Sequence, residues 1–137
     1  MFRSMPTDKQ PLSDEEEFHS SYSVFLMSLK FLALPPDEQC AAMGDYNVAW
    51  ELKDDVLRGR YLIGRGHLSV EQEAWVGALA GALEGVPAQT LPAGAGRDTN
   101  LAAMQHPSWT PLRSMAKEVL NALSAFTTEN ARYLGLR

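Results

Sequence analysis

The chain has 137 residues, 45% of them hydrophobic and 21% charged, with a formal net charge of −5 and a pI of about 5.1. That length supports one hydrophobic core without metal or disulfide staples. The acidic balance argues against nucleic acid or an anionic membrane as the main partner, because both require clustered Lys and Arg. The charge is split along the chain: eleven acidic and four basic side chains lie up to Leu57, six acidic and eight basic from Arg58 on. An acidic end on a small domain suggests a basic partner, since complementary fields steer association. Apolar segments are broken by Lys, Ser, Pro or Gly well short of the roughly 18 residues a membrane span requires, and no basic region followed by an apolar run marks a signal peptide. Cys40 is the single cysteine and closes no internal disulfide. That fits a reducing, cytoplasmic setting.

Residues 1–12, with Pro6 and Pro11, read as an extended leader ahead of one helical domain over 13–137. Ser13 and Glu16 have capping-box spacing, and Asp14–Glu17 place negative charge at a helix N-terminus. The helix that follows runs to about Leu34, where Pro35 and Pro36 stop it. Phe18, Tyr22, Phe25, Leu26, Leu29, Leu32 and Ala33 recur at helical period on one face, while Val24, Met27, Phe31 and Leu34 form a second stripe roughly opposite. A helix apolar on two sides is either sandwiched between neighbours or offers one side to a partner.

A short helix from Pro36 ends at Met43-Gly44, and another starts at Asp45 or Asn47 and reaches about Arg58. Val48, Ala49, Leu52 and Val56 make the core stripe of the latter; Tyr46, Trp50, Leu57 and Tyr61 extend its apolar arc. The stretch Arg60–Gly64 is open between a helix end and a short extended piece. Ser69 and Gln72 form a second capping-box pair, opening a helix to about Glu84-Gly85. Its Ala74, Gly77, Ala78 and Gly81 make a small-residue face that admits a close backbone, with Trp75, Val76, Leu79 and Leu83 toward the other side. Residues 86–100 read as a loop, followed by a turn of helix around Leu101–Gln105. Thr110 then caps a last helix, with Pro111 in its first turn and Leu112, Met115, Ala116, Val119, Leu120, Leu123 and Phe126 in one stripe, continuing through Tyr133 to Gly135. The expected fold is all-α: a single-domain bundle or array of about four main helices plus short ones.

No complete catalytic site is present in the sequence, so the chain is expected not to be an enzyme and to need no cofactor. His19, His67 and His106 show no metal-ligand spacing with one another or with Cys40, and no metal site is expected. Asp37 and Glu38 beside Cys40 raise a thiol pKa, the reverse of what a nucleophile needs, so Cys40 reads as a small buried hydrophobe. The pattern Arg58-Gly59-Arg60 with Gly64-Arg65-Gly66 resembles a basic, glycine-interrupted patch. It matches no phosphate-loop spacing, and pairing with Glu51, Asp54 or Asp55 within the protein is the simpler reading. Those three carboxylates share one side of their helix, bordered by Trp50 and Tyr61. Like charges at three- and four-residue spacing repel, a cost better tolerated if a cationic partner arrives. Trp50, Glu51, Asp54, Asp55 and Tyr61 are therefore the candidate partner-binding residues, with the aromatics as anchors. Trp50 reads equally well as a core residue.

The run Phe31-Leu32-Ala33-Leu34-Pro35-Pro36-Asp37-Glu38-Gln39, followed by Gly44-Asp45-Tyr46-Asn47-Val48-Ala49-Trp50-Glu51-Leu52, resembles small bacterial immunity proteins, which guard cells against contact-dependent and other polymorphic toxins. The resemblance implies tight binding to a cognate toxin domain, often a nuclease with a basic groove, and occlusion of its active site. It carries over no functional residue; the five nominated side chains come from charge and helix geometry. The alternative is a helical self-association or adaptor module, with Val24, Met27, Phe31 and Leu34 as a homodimer surface.

Overall fold

The structure is a computed structural model describing residues 13–87 and 94–135. Among these residues the chain forms seven α-helices: α1 (Asp14–Leu32), α2 (Pro36–Ala42), α3 (Val48–Leu57), α4 (Val70–Glu84), α5 (Arg97–Met104), α6 (Thr110–Ala122) and α7 (Ser124–Tyr133). Two 3-10 helices, Arg58–Leu62 and Pro107–Trp109, extend α3 and lead into α6. The fold is all-α, and its extended pairing among the described residues is the single bridge Tyr46–Ala95. The expected leader over 1–12 lies outside the described residues. No helix is long and apolar enough to cross a membrane among those described.

Both capping boxes form. Glu16 donates its amide to Ser13 Oγ at 3.1 Å while Ser13 donates its own to Glu16 Oε1 at 3.0 Å. Ser69 and Gln72 repeat the exchange at 3.0 and 2.8 Å. Each box satisfies two of the N–H groups that a helix start leaves without intrahelical partners. α1 then lays Phe18, Tyr22, Phe25, Leu29 and Leu32 into the core, where α3, α6 and the Arg58–Leu62 helix meet it. Val48, Ala49, Leu52 and Val56 of α3, Val76, Leu79 and Leu83 of α4, and Leu112, Ala116 and Val119 of α6 complete that core around the fully buried Trp109.

Three local expectations are corrected, and the start of α3, found after Asn47 as expected, has a tertiary cause. The backbone of Asn47 is left-handed (φ 51°) and its side chain makes no capping bond. The cap comes from elsewhere in the chain: Val48 donates its amide to Asn100 Oδ1 on α5 at 2.8 Å. The same Asn100 side chain donates to the Asp45 and Gly96 carbonyls at 2.9 and 2.7 Å, tying the two loops together. That is also why α5 begins at Arg97 rather than near Leu101 and cuts the expected 86–100 loop short; residues 88–93 of that loop lie outside the described residues. The last helix is two, broken at Leu123. Tyr22 donates its hydroxyl proton to the Leu123 carbonyl at 3.3 Å and meets Thr127 Oγ1 at 2.7 Å, so α1 holds the break while α7 packs against it. Finally, the small-residue face of α4 admits no backbone among the described residues: Ala74, Ala78 and Gly81 are exposed, and a Cβ on Gly81 would meet open space. The Arg60–Gly64 ambiguity resolves as the 3-10 helix through Leu62.

An aromatic junction absorbs two histidines. His67 stacks on Phe18 with ring centroids 4.2 Å apart, and His19 stacks on Tyr133 at 3.9 Å. Asn130 donates its amide to Ser23 Oγ, which leaves its Oδ1 to accept the Nδ1 proton of His19 at 2.7 Å. α7 is thereby fastened to α1 by a buried polar pair as well as by Phe126.

Candidate partner-binding face

α3 and the N-terminal half of α1 lie side by side, and their outer edges hold the charged and apolar side chains left over from the core. At about 100° per residue, Trp50 and Asp55 are about 140° apart around α3, so the acidic side of the helix spreads over two surfaces rather than one. On the outer surface, Trp50 is 48% exposed and lines a shallow hollow with Lys53, Asp54 and Leu57. Asp54 is occupied there: Arg58 reaches it at 2.9 Å, one helical turn on.

On the inner side a larger groove of about 480 Å³ opens between the helices. Ser20, Ser21, Val24 and Phe25 of α1 form one wall; Asp55, Arg58 and Tyr61 form the other. Phe25 is buried and seats on Gly59, where a Cβ would run into its ring, so the glycine lets the 3-10 helix close the groove floor. Val24 is 64% exposed and Met27, one turn along α1, is 58% exposed. The second stripe of α1 is thus divided: Val24 and Met27 face solvent, while Phe31 is half-buried against the core and Leu34 is half-buried.

Asp55 titrates above the usual aspartate range. Desolvation in the groove is the main cause, repulsion by Glu51 and Asp54 adds to it, and Arg58 opposes it. The carboxylates of Glu51 and Asp55 make no hydrogen bond or ion pair among the described residues. They sit at i and i+4, where like charges are neighbours. Tyr61 is more firmly held. It donates its hydroxyl proton to Glu17 Oε1 at 3.0 Å, and the Arg65 guanidinium lies 4.0 Å from its ring centroid. Desolvation and the Glu17 bond raise its phenol pKa.

The five residues nominated from the sequence therefore divide. Asp55 and Tyr61 share the groove, Trp50 and Asp54 share the outer hollow, and Glu51 stands beside Asp55. The Asp54–Arg58 pair bridges the two surfaces, since one partner lines each. Of the groove's other wall, Ser20, Ser21 and Phe25 carry no binding expectation from the sequence, whereas Val24 belongs to the stripe expected as a homodimer surface. The wall's signal was the exposed half of the second stripe, which periodicity shows but cannot place opposite Asp55.

The arginines of the glycine-interrupted stretch are all engaged within the fold: Arg58 with Asp54, Arg60 with Glu84 at 2.8 Å, and Arg65 with Tyr61, whose carbonyl accepts from Nε at 2.9 Å. Cys40 is fully buried, and burial, with repulsion from Asp45 and Asp37 exceeding the pull of Arg97, raises its thiol pKa. No family model, curated protein or solved structure matches this chain.

Proposed function

We propose that this chain is a non-catalytic binding protein of the immunity kind, working in the cytoplasm, that engages a basic toxin domain, a nuclease in the first instance, and covers its active site. The observation that carries this reading is the α1–α3 face. Exposed Val24 and Met27 stand on the groove side with Asp55, Trp50 is exposed on the adjoining surface, and the carboxylates of Glu51 and Asp55 have no hydrogen bond or ion pair among the described residues. Half-exposed aromatics beside unpaired charge suit an interface better than a solvated surface, because a cationic partner both buries the apolar atoms and relieves the repulsion. The test is affinity capture from the native host at low salt with the tagged chain, run beside Trp50→Ala. Recovery of one basic protein that salt releases and that the variant fails to retain supports the reading. Capture by both alike, or of nothing but the chain itself, refutes it.

A second reading has its own observation. Val24 and Met27 are the most exposed large apolar side chains of α1, as a homodimer surface would require. Sedimentation of the isolated protein decides it, since a strictly monomeric chain leaves no role for self-association.

A further inference from the structure

We propose that the groove between α1 and the end of α3 receives one cationic side chain, a lysine or an arginine, carried on an apolar-flanked segment of a basic protein. The inference rests on the reading above and narrows it to one kind of occupant. The groove offers an apolar wall at Val24 and Phe25, the ring of Tyr61 at one end, and a single unpaired carboxylate, Asp55, within it. Each class of occupant is weighed against that composition. A purely apolar side chain would strip the remaining water from Asp55 and give it nothing in exchange, which is the costly way to bury a charge. An anion would meet Asp55 and the neighbouring Glu51. A Lys or Arg matches both parts: its methylene stem lies along apolar surface while its head reaches a charged group. Arg58 also lines the groove; its guanidinium is hydrogen-bonded to Asp54 at 2.9 Å and offsets Asp55 only in part, since the Asp55 carboxyl still titrates above its ordinary value. Met27, exposed beyond the groove along α1, extends the apolar rim on which residues flanking the cation would rest.

The experiment follows backbone amide resonances of the full chain during titration with two capped tripeptides, Leu-Arg-Leu and its neutral isostere Leu-citrulline-Leu. The expected result is saturable shifts confined to the neighbourhood of Val24, Asp55 and Tyr61 with the arginine peptide, and affinity weaker by about tenfold or more for citrulline, about 1.4 kcal/mol. Asp55→Asn should remove that preference, whereas Glu71→Gln, an exposed acid on α4, should keep it. Val24→Ser, at a solvent-facing position, should weaken both peptides together. Equal binding of the two peptides, an unchanged preference in Asp55→Asn, or shifts spread over the acidic surface would overturn the proposal. If capture recovers a basic partner while the arginine peptide ignores the groove, this inference falls and the partner reading stands. If the peptide binds as expected and capture recovers nothing, the inference stands and the partner reading falls.

Discussion

Gly59→Ala tests the architecture on which the groove depends. Gly59 has no left-handed backbone to protect; what it lacks is room, because an added Cβ would run into the ring of Phe25. That ring is buried, so it cannot swing into solvent to make way. Overfilling a packed site costs about 1–3 kcal/mol, and replacing glycine by alanine in a helical stretch returns up to about 1 kcal/mol. The net expectation is a loss of about 1–2 kcal/mol, or about 3–7 °C in Tm for a chain of this size. Urea denaturation should show a lower midpoint at unchanged slope. The sharper assay is a double-mutant cycle with Phe25→Leu, which removes the ring. The double variant should be more stable than the sum of the two single losses by about 1 kcal/mol. If Gly59→Ala matches the parent, or the two changes simply add, the 3-10 helix does not rest on Phe25 and the groove floor is not built as described.

Three further outcomes follow from the same contacts. Asn100→Ala should cost about 1–3 kcal/mol in thermal or urea unfolding, because it strands the buried Val48 amide and removes a second donor from the Asp45 and Gly96 carbonyls; a loss within measurement error would show that these loops are held by other means. Asp55→Asn should leave stability at neutral pH unchanged or raised. The folded-state pKa of Asp55 lies above its ordinary value, so the native state binds that proton more tightly and the parent gains stability as pH falls through it. The variant should lose this gain, and a parent stability curve that falls over that window relative to the variant's would reverse the sign argued here. Trp50→Ala should change stability by no more than about 0.5 kcal/mol, as for other surface positions, so that any loss of partner capture reports on binding rather than folding.

The elements that sequence alone made legible are those whose cause is local. Both capping boxes, the Pro35-Pro36 stop and the buried stripes of α1 and α3 depend on residues a few positions apart, and all are found where spacing put them. What spacing leaves out has tertiary causes. α3 is capped by Asn100, more than fifty residues downstream, and no local pattern announces such an acceptor. The break at Leu123 falls within an unbroken apolar stripe, where Tyr22 on α1 donates to a Leu123 carbonyl that also accepts from the Thr127 amide. His19 and His67 were read singly, yet the fold sets their ring centroids 5.8 Å apart within one aromatic junction. The candidate site shows the same division. Periodicity showed that Glu51, Asp54 and Asp55 share a side of one helix, but the wall that turns Asp55 into part of a groove belongs to another.

Asp54 and Asp55 are adjacent in sequence and opposite in circumstance, and the contrast bears on function. Asp54 has Arg58 one turn away and is neutralised where it stands. Asp55 has Glu51 one turn before it, and partial desolvation in the groove, offset only in part by Arg58, raises its pKa. A face shaped by stability alone would place an apolar or paired side chain at that position, since an unpaired, partly desolvated charge next to a like charge weakens the native state. Its neighbours do not compensate: Val24 and Met27 leave apolar surface in solvent on the same side. Two local costs of different kinds on one face have a common remedy in a partner that is apolar and cationic together. On the proposed reading, such a partner would gain from both.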